Sequence, residues 1–221
     1  MLIRNRFYCI ALCLLSFSFI GSGSYTYKIA KVQYRGGGDW YANRTALPNL
    51  VKFCNQNIKT HINPNDAIVD IASDEIFDYP YIYLTGHGNI VFDNKDAFNL
   101  RKYLEAGGFI HIDDNYGLDK YVRPQMKKVF PDLSFVELPY SHKIYSIKYP
   151  FPKGLPKIHE HDGKPAQGFG LIYKGRLVCF YSYESDLGNG WENPEVHNDP
   201  AEKRAQALKM GANIMQYALT Y

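Results

Sequence analysis

The chain has 221 residues, 46% hydrophobic, 15% aromatic and 21% charged, with a formal net charge of +3. That balance is too apolar for a disordered chain, and no Pro/Gly/Ser-rich linker divides it into two core-sized halves, so one compact domain is expected. Arg4 and Arg6 supply part of the small positive charge, and the near-neutral remainder gives nucleic-acid binding no electrostatic support.

The first element is a leader. A basic stretch, MLIRNR, precedes the apolar run FYCIALCLLSFSFI and the small residues GSGS. About 14 apolar residues fall short of the roughly 20 that a spanning helix needs. Residues 1–23 therefore read as a signal peptide, with a retained anchor as the second reading. Residues 24–221 are then a single exported domain, periplasmic or held in the cell envelope. Leu12 before Cys13 makes a poor lipoprotein processing site. Cys9 and Cys13 would leave with the leader, so Cys54 and Cys179 remain. In an oxidising compartment they could pair, but each lies in an apolar element and reads as a small core residue.

YKIAKVQYRG alternates like a first strand. The loop GGGDW follows, then an amphipathic helix with Leu47, Leu50, Val51, Cys54 and Ile58 on one face. DAIVDIA is a second strand, and DYPYIYLTGHG a third that ends in a Gly-His-Gly turn. NKDAFNLRKYLEAGG reads as a helix capped by Asp93 or Asn94 and closed at Gly107. Phe109–Ile112 form the next strand, ending on Asp113 and Asp114. LDKYVRPQMKKVF predicts a helix bent or restarted at Pro124. Short strands and turns follow, with a hairpin across GFGLIYKGRLVCFYSY turning at Lys174–Gly175. A last helix buries Ala205, Leu208, Ala212, Met215 and Leu219. Strands alternating with helices predict an α/β fold, a mostly parallel sheet covered on both faces with the hairpin added beside it.

Ligands of such sheets bind beyond the carboxyl ends of the strands. Three features fall there: Gly37, Asp39 and Trp40 after the first strand; Gly86 and His87 after the third; and Asp113, Asp114 and Asn115 after the fourth. The helix between the third and fourth strands makes them neighbours, which would bring His87 towards Asp113. The competing reading gives one aspartate a capping task, since adjacent side chains of an extended segment point to opposite sides. The glycines beside His87 would likewise serve turn geometry alone. ESDLGNGWEN adds Asp186 and Trp191, suited to recognising a polar ring or, equally, a solvated hairpin exit under a packed tryptophan. His142 lies between tyrosines in LPYSHKIY. KIHEHDGK offers His159, Glu160, His161 and Asp162, but it follows Gly154 and Pro156 and reads as an exposed loop lacking a rigid third ligand.

The blocks YPYIYLTGHGNI, LRKYLEAGGFIHIDD, LPYSHKIY, GRLVCFYSYESDLGNGWE and GANIMQYALT occur in the order of a bacterial family of unknown function, domain 4159, which the chain resembles over residues 26–221. The resemblance implies a class I glutamine amidotransferase-like, flavodoxin-like three-layer sandwich, an envelope location and membrane-anchored protein partners. It implies no established reaction. TGHG is similar to the oxyanion turn of amidotransferases and IHIDDNYG to their nucleophile elbow. Asp113 and Asp114 stand where the cysteine nucleophile is required, which excludes glutamine hydrolysis. The expected function is a binding module for a small polar ligand or an envelope partner. Its pocket would be formed by Gly37, Asp39, Trp40, Gly86, His87, Asp113, Asp114, Asn115, Asp186 and Trp191, with no cofactor. The alternative is a cysteine-independent hydrolase. Asp113 or Asp114 would then be its base, with His87 and His142 as acid or as co-ligands with Asp113 of a divalent metal.

Overall fold

A computed structural model describes residues 25–161 and 163–221. The expected leader and Asp162 lie outside them. The strands are β1 (Ala30–Gln33), β2 (Ala67–Asp70), β3 (Tyr81–Gly86), β4 (Phe109–Asp114), β5 (Val136–Glu137), β6 (Gln167–Tyr173) and β7 (Arg176–Tyr183). The helices are α1 (Ala46–Asn57), α2 (Asn94–Glu105), α3 (Asp119–Val129), α4 (Leu187–Trp191), α5 (Pro194–His197) and α6 (Ala201–Thr220). The strands form one open sheet in the order β2-β1-β3-β4-β7-β6-β5. The five from β2 to β7 run parallel, while β6 and β5 are antiparallel additions.

Period-two alternation assigns the two faces. Tyr81, Tyr83, Phe109 and Phe180 point into a core shared with α1, α4 and α6. Ile82, Leu84, Ile110, Ile112 and Tyr181 point into a second core, which packs on α2 and α3. Each fully buried Leu, Ile or Phe stabilises by about 1.5–3 kcal/mol, so both faces are strongly held. The architecture is three layers, α/β, as expected.

The caps and turns follow from local chemistry. Asp93 accepts from the amides of Lys95 and Asp96, and Asp96 returns a bond to the Asp93 amide, closing a capping box on α2. Lys174 and Gly175 both take positive φ, 48° and 82°, as a two-residue turn between β6 and β7 demands.

Four expectations change. The fourth strand runs through both aspartates, because Asp113 pairs with Thr85 and Ser182 and Asp114 with Gly86. α3 does not restart at Pro124 but runs on through it from Asp119 to Val129, since proline removes a single bond and the apolar face of Val122, Met126 and Val129 still packs on the sheet. The buried face of α6 is Ala207, Met210–Met215 and Tyr217; Ala205, Leu208 and Leu219 are only partly covered. The loop DLGNGW is not a solvated exit but the buried helix α4. Cys54 and Cys179 are free thiols in the two separate cores.

Candidate functional site

The carboxyl ends of β1, β3, β4 and β7 form one edge of the molecule. Two adjacent aspartates end β4 there, and strand alternation sends them to opposite faces. Asp114 Oδ1 accepts from the amides of Tyr116 and Leu118, both at 2.9 Å, and Oδ2 from Tyr181 Oη at 3.1 Å. It caps the turn into α3. That turn places Tyr116 at φ 88°, a conformation most side chains avoid. Burial pushes the Asp114 carboxyl up to about 6.

Asp113 is enclosed beneath α4. Its Oδ1 accepts from Ser182 Oγ at 2.5 Å, and Oδ2 from Tyr83 Oη at 2.9 Å and the Gly188 amide at 2.7 Å. Ser182 continues to His111 Nε2 at 2.9 Å, and His111 Nδ1 to Tyr81 Oη at 2.9 Å. Burial raises the Asp113 carboxyl to about 7 and lowers the His111 imidazole to about 3. This is a fully buried hydrogen-bonded layer in which His111 is neutral. Gly188 belongs to it because an added Cβ would strike Asn43 Nδ2 and Tyr83 Oη. Asn115 is locked in the same layer, exchanging amide bonds with Asn43 at 3.1 and 3.2 Å.

His87 is directed elsewhere. Its Nδ1 meets Asp39 Oδ2 at 2.9 Å and its amide donates to Asp39 Oδ1. The side chain is 54% exposed, so this histidine–carboxylate pair stands on the rim at the end of β3. Gly86 is closely covered by Tyr34 and Asp39, whereas Gly37 is open. Trp40 meets Tyr41 edge-on at 5.7 Å. His142 is not brought to this edge. Its ring packs 5.5 Å from Tyr217, which packs on Phe109 at the amino end of β4. Trp191 presents no face to a ligand, being fully buried with its indole N–H donated to Ala207 O at 2.8 Å.

Asp186 has the partners that sequence reading misses. It follows β7 in a left-handed conformation, φ 57°, and is fully buried. Oδ2 meets His161 Nε2 at 2.5 Å and lies 3.3 Å from His159 Nδ1, while Oδ1 has no hydrogen-bond partner among the described residues. His159 Nε2 meets Asp199 at 3.0 and 3.1 Å, and Asn189 Nδ2 lies 3.2 Å from His159 Nδ1. The histidine segment is tied to the turn after β7 by Ile158 N to Ser185 O at 2.9 Å, Ser185 Oγ to Pro156 O at 2.6 Å and Lys157 to Glu184 at 3.0 Å. The described residues of the segment from Glu160 onward form an exposed loop, as expected, but His159 and His161 have rigid carboxylate partners, contrary to expectation. Their carboxylates lie 25 and 40 residues further along the chain, beyond what local spacing reveals.

His161 also stacks on Tyr116, centroids 4.4 Å apart and 22° between planes. Tyr116 lines a cleft of about 370 Å³ with Asp114, Gly117, Asp119, Lys120, Lys164, Tyr183 and Glu184. Among the described residues, no three His, Cys, Asp or Glu side chains already stand around a common point suited to a metal ion, and no helix is long and apolar enough to cross a membrane. The layer built on His111 and Ser182 is signalled in the sequence only by polar residues interrupting the apolar runs FIHI and FYSY.

A family model described as Domain of unknown function (DUF4159) matches residues 28–219, and the chain belongs to that family. No curated protein matches it.

Proposed function

We propose that this family member is a binding module, holding a small polar ligand on the carboxyl-end rim of an exported, amidotransferase-like domain. The strand order supports the scaffold: β2-β1-β3-β4-β7 follows the 2-1-3-4-5 pattern of flavodoxin-like sheets, which bind ligands at this edge. Export rests on the leader, and envelope or membrane-anchored partners on the family resemblance. Neither free cysteine lies in the turn after β4, so the position that would carry a thiolate in an amidotransferase has none. Nor does a base assembled from Asp113, Asp114, His87 and His142 find support. Each aspartate is engaged by three donors, and the two histidines have different partners.

Tyr116 carries the reading. A bulky residue held at φ 88° by a buried carboxylate is strained, and such strain gathers at ligand sites. Its ring stands at the mouth of a cleft that contains both lysines and carboxylates, of a size that suits a small molecule. The rim continues over Asp39, His87, Trp40 and Gly37. Ligand-observed NMR with panels of sugars, amino acids and nucleotides tests this. A hit should lose at least tenfold affinity in Tyr116→Gly. No hit in any panel, or hits indifferent to Tyr116→Gly and Lys120→Ala, would overturn it.

A further inference from the structure

We infer that His159 Nδ1, His161 Nε2 and the Asp186 carboxylate form a binding site for a divalent transition-metal ion, with Asp199 holding His159 in the ligating tautomer. The inference does not depend on ligand binding in the neighbouring cleft.

Three observations carry it. The first is the chemistry of the donors. Two imidazole nitrogens and one carboxylate form a set that favours Zn²⁺, Mn²⁺ or Fe²⁺ over Mg²⁺ or Ca²⁺. Three protein ligands leave a position for water or a bound group.

The second is the supporting shell. His159 Nε2 lies 3.0 and 3.1 Å from the two oxygens of Asp199. Asn189 Nδ2 donates to His159 Nδ1 at 3.2 Å, a bond that an incoming ion would displace. With Nε2–H donated to Asp199, Nδ1 keeps its lone pair. A ligating histidine generally donates its other N–H to a carboxylate in this way. Nδ1 and Asp186 Oδ2 then face each other as two lone-pair donors 3.3 Å apart. That is about the ligand–ligand separation that bonds of about 2.0 Å give in a tetrahedral zinc site.

The third is Asp186 itself. A fully buried carboxylate whose Oδ1 is unpartnered among the described residues is expensive to hold. The histidines meet its Oδ2, and an ion bound through both oxygens would satisfy it. The left-handed backbone at both Glu184 and Asp186 aims this carboxylate at the histidine segment, which three bonds fix in place. In the present arrangement a proton between His161 Nε2 and Asp186 Oδ2, 2.5 Å apart, occupies the space an ion would take. Lengthening that contact by under about 1 Å gives the separation found in a tetrahedral site.

The test is isothermal titration of protein expressed from the full chain and stripped with a chelator, using Zn²⁺, Mn²⁺ and Mg²⁺, together with visible spectroscopy of the Co²⁺ form. One equivalent of Zn²⁺ or Mn²⁺ should bind with micromolar or tighter affinity, and Mg²⁺ at least a hundredfold more weakly. His161→Ala and His159→Ala should each weaken binding by at least a hundredfold and abolish the Co²⁺ ligand-field bands. Asp199→Asn should weaken it by 10–100-fold, and His142→Ala, at the far end of the sheet, should not change it. Circular dichroism of the stripped variants monitors folding, and the two histidine variants decide should Asp186→Asn not fold. Less than a tenth of an equivalent of every ion, or binding unchanged in both histidine variants, overturns the inference. Small-ligand binding in the cleft is measured with chelator present, so failure of metal binding and failure of ligand binding are read independently.

Discussion

Asp113 accepts hydrogen bonds from three donors, none of which carries a formal charge. Burial therefore dominates, and the carboxyl stays protonated up to about pH 7, against about 3.9 in an unfolded chain. The stability this group provides is fully present below about pH 4. It declines as pH rises towards 7, because the unfolded chain releases the proton first. Asp114 adds to this slope and the neutral His111 opposes it. In denaturant titrations across that window Asp113→Asn should therefore remove the Asp113 contribution alone, without loss of stability at pH 8, because an amide can accept from Gly188 and donate to Ser182. Asp113→Ala takes the acceptor from Tyr83 Oη and the Gly188 amide, while Ser182 Oγ keeps Ile112 O and His111, and should cost about 2–4 kcal/mol. A pH profile identical in wild type and Asp113→Asn would refute the assignment. Tyr116 makes the opposite case. Tyr116→Gly relieves about 1 kcal/mol of backbone strain and gives up a ring stack of similar size, so the melting temperature should hardly move while ligand affinity falls. A loss of more than about 2 kcal/mol would mark Tyr116 as structural.

At the scale of the element, α4 is the piece that joins sheet and site. Five residues with no side-chain cap would not persist alone. α4 stands because Trp191 fills the core below α6 and because the Gly188 amide lands on Asp113. Gly188→Ala pushes a methyl into Asn43 and Tyr83 and should cost about 1–3 kcal/mol. It should also disturb the Asp186–His159 pairing two residues earlier, visible as shifted His159 ring signals in NMR. An unperturbed spectrum would separate α4 from the site. The sequence GNG argues for a loop at this point. Only the space under Tyr83, a tertiary property, explains why the glycines permit a buried helix instead. The end of β4 is hidden from sequence reading for a related reason: two carboxylates look like a terminus until Thr85, Gly86 and Ser182 are seen to pair with them.

For the whole molecule, the alternating apolar pattern is enough to reveal the parallel strands, their helices and the hairpin, since those depend on local periodicity. The edge on which His87, Asp113 and Asp186 end is also legible, because it follows from strand direction. Side-chain pairing across the sheet is not. His87 takes Asp39 rather than Asp113, and Asp186 takes histidines whose local spacing argues against them. The two cores share one sheet, and Cys54 and Cys179 report on them separately. Neither thiol should react with a disulfide reagent in the native state, and in denaturant both should become reactive together at one midpoint if unfolding is cooperative. Separate midpoints would show that the layers open independently.

The two margins of the sheet are unequal to its centre. β5 offers two residues and β2 four, whereas β3 and β4 offer six and β7 eight. Long unpaired margins invite chains to add to one another, and brief ones give an incoming strand little to grip. The native form is thus guarded against fibre-like self-association. The hazard sits with partly folded chains, in which the apolar β4 and β7 have not yet found each other.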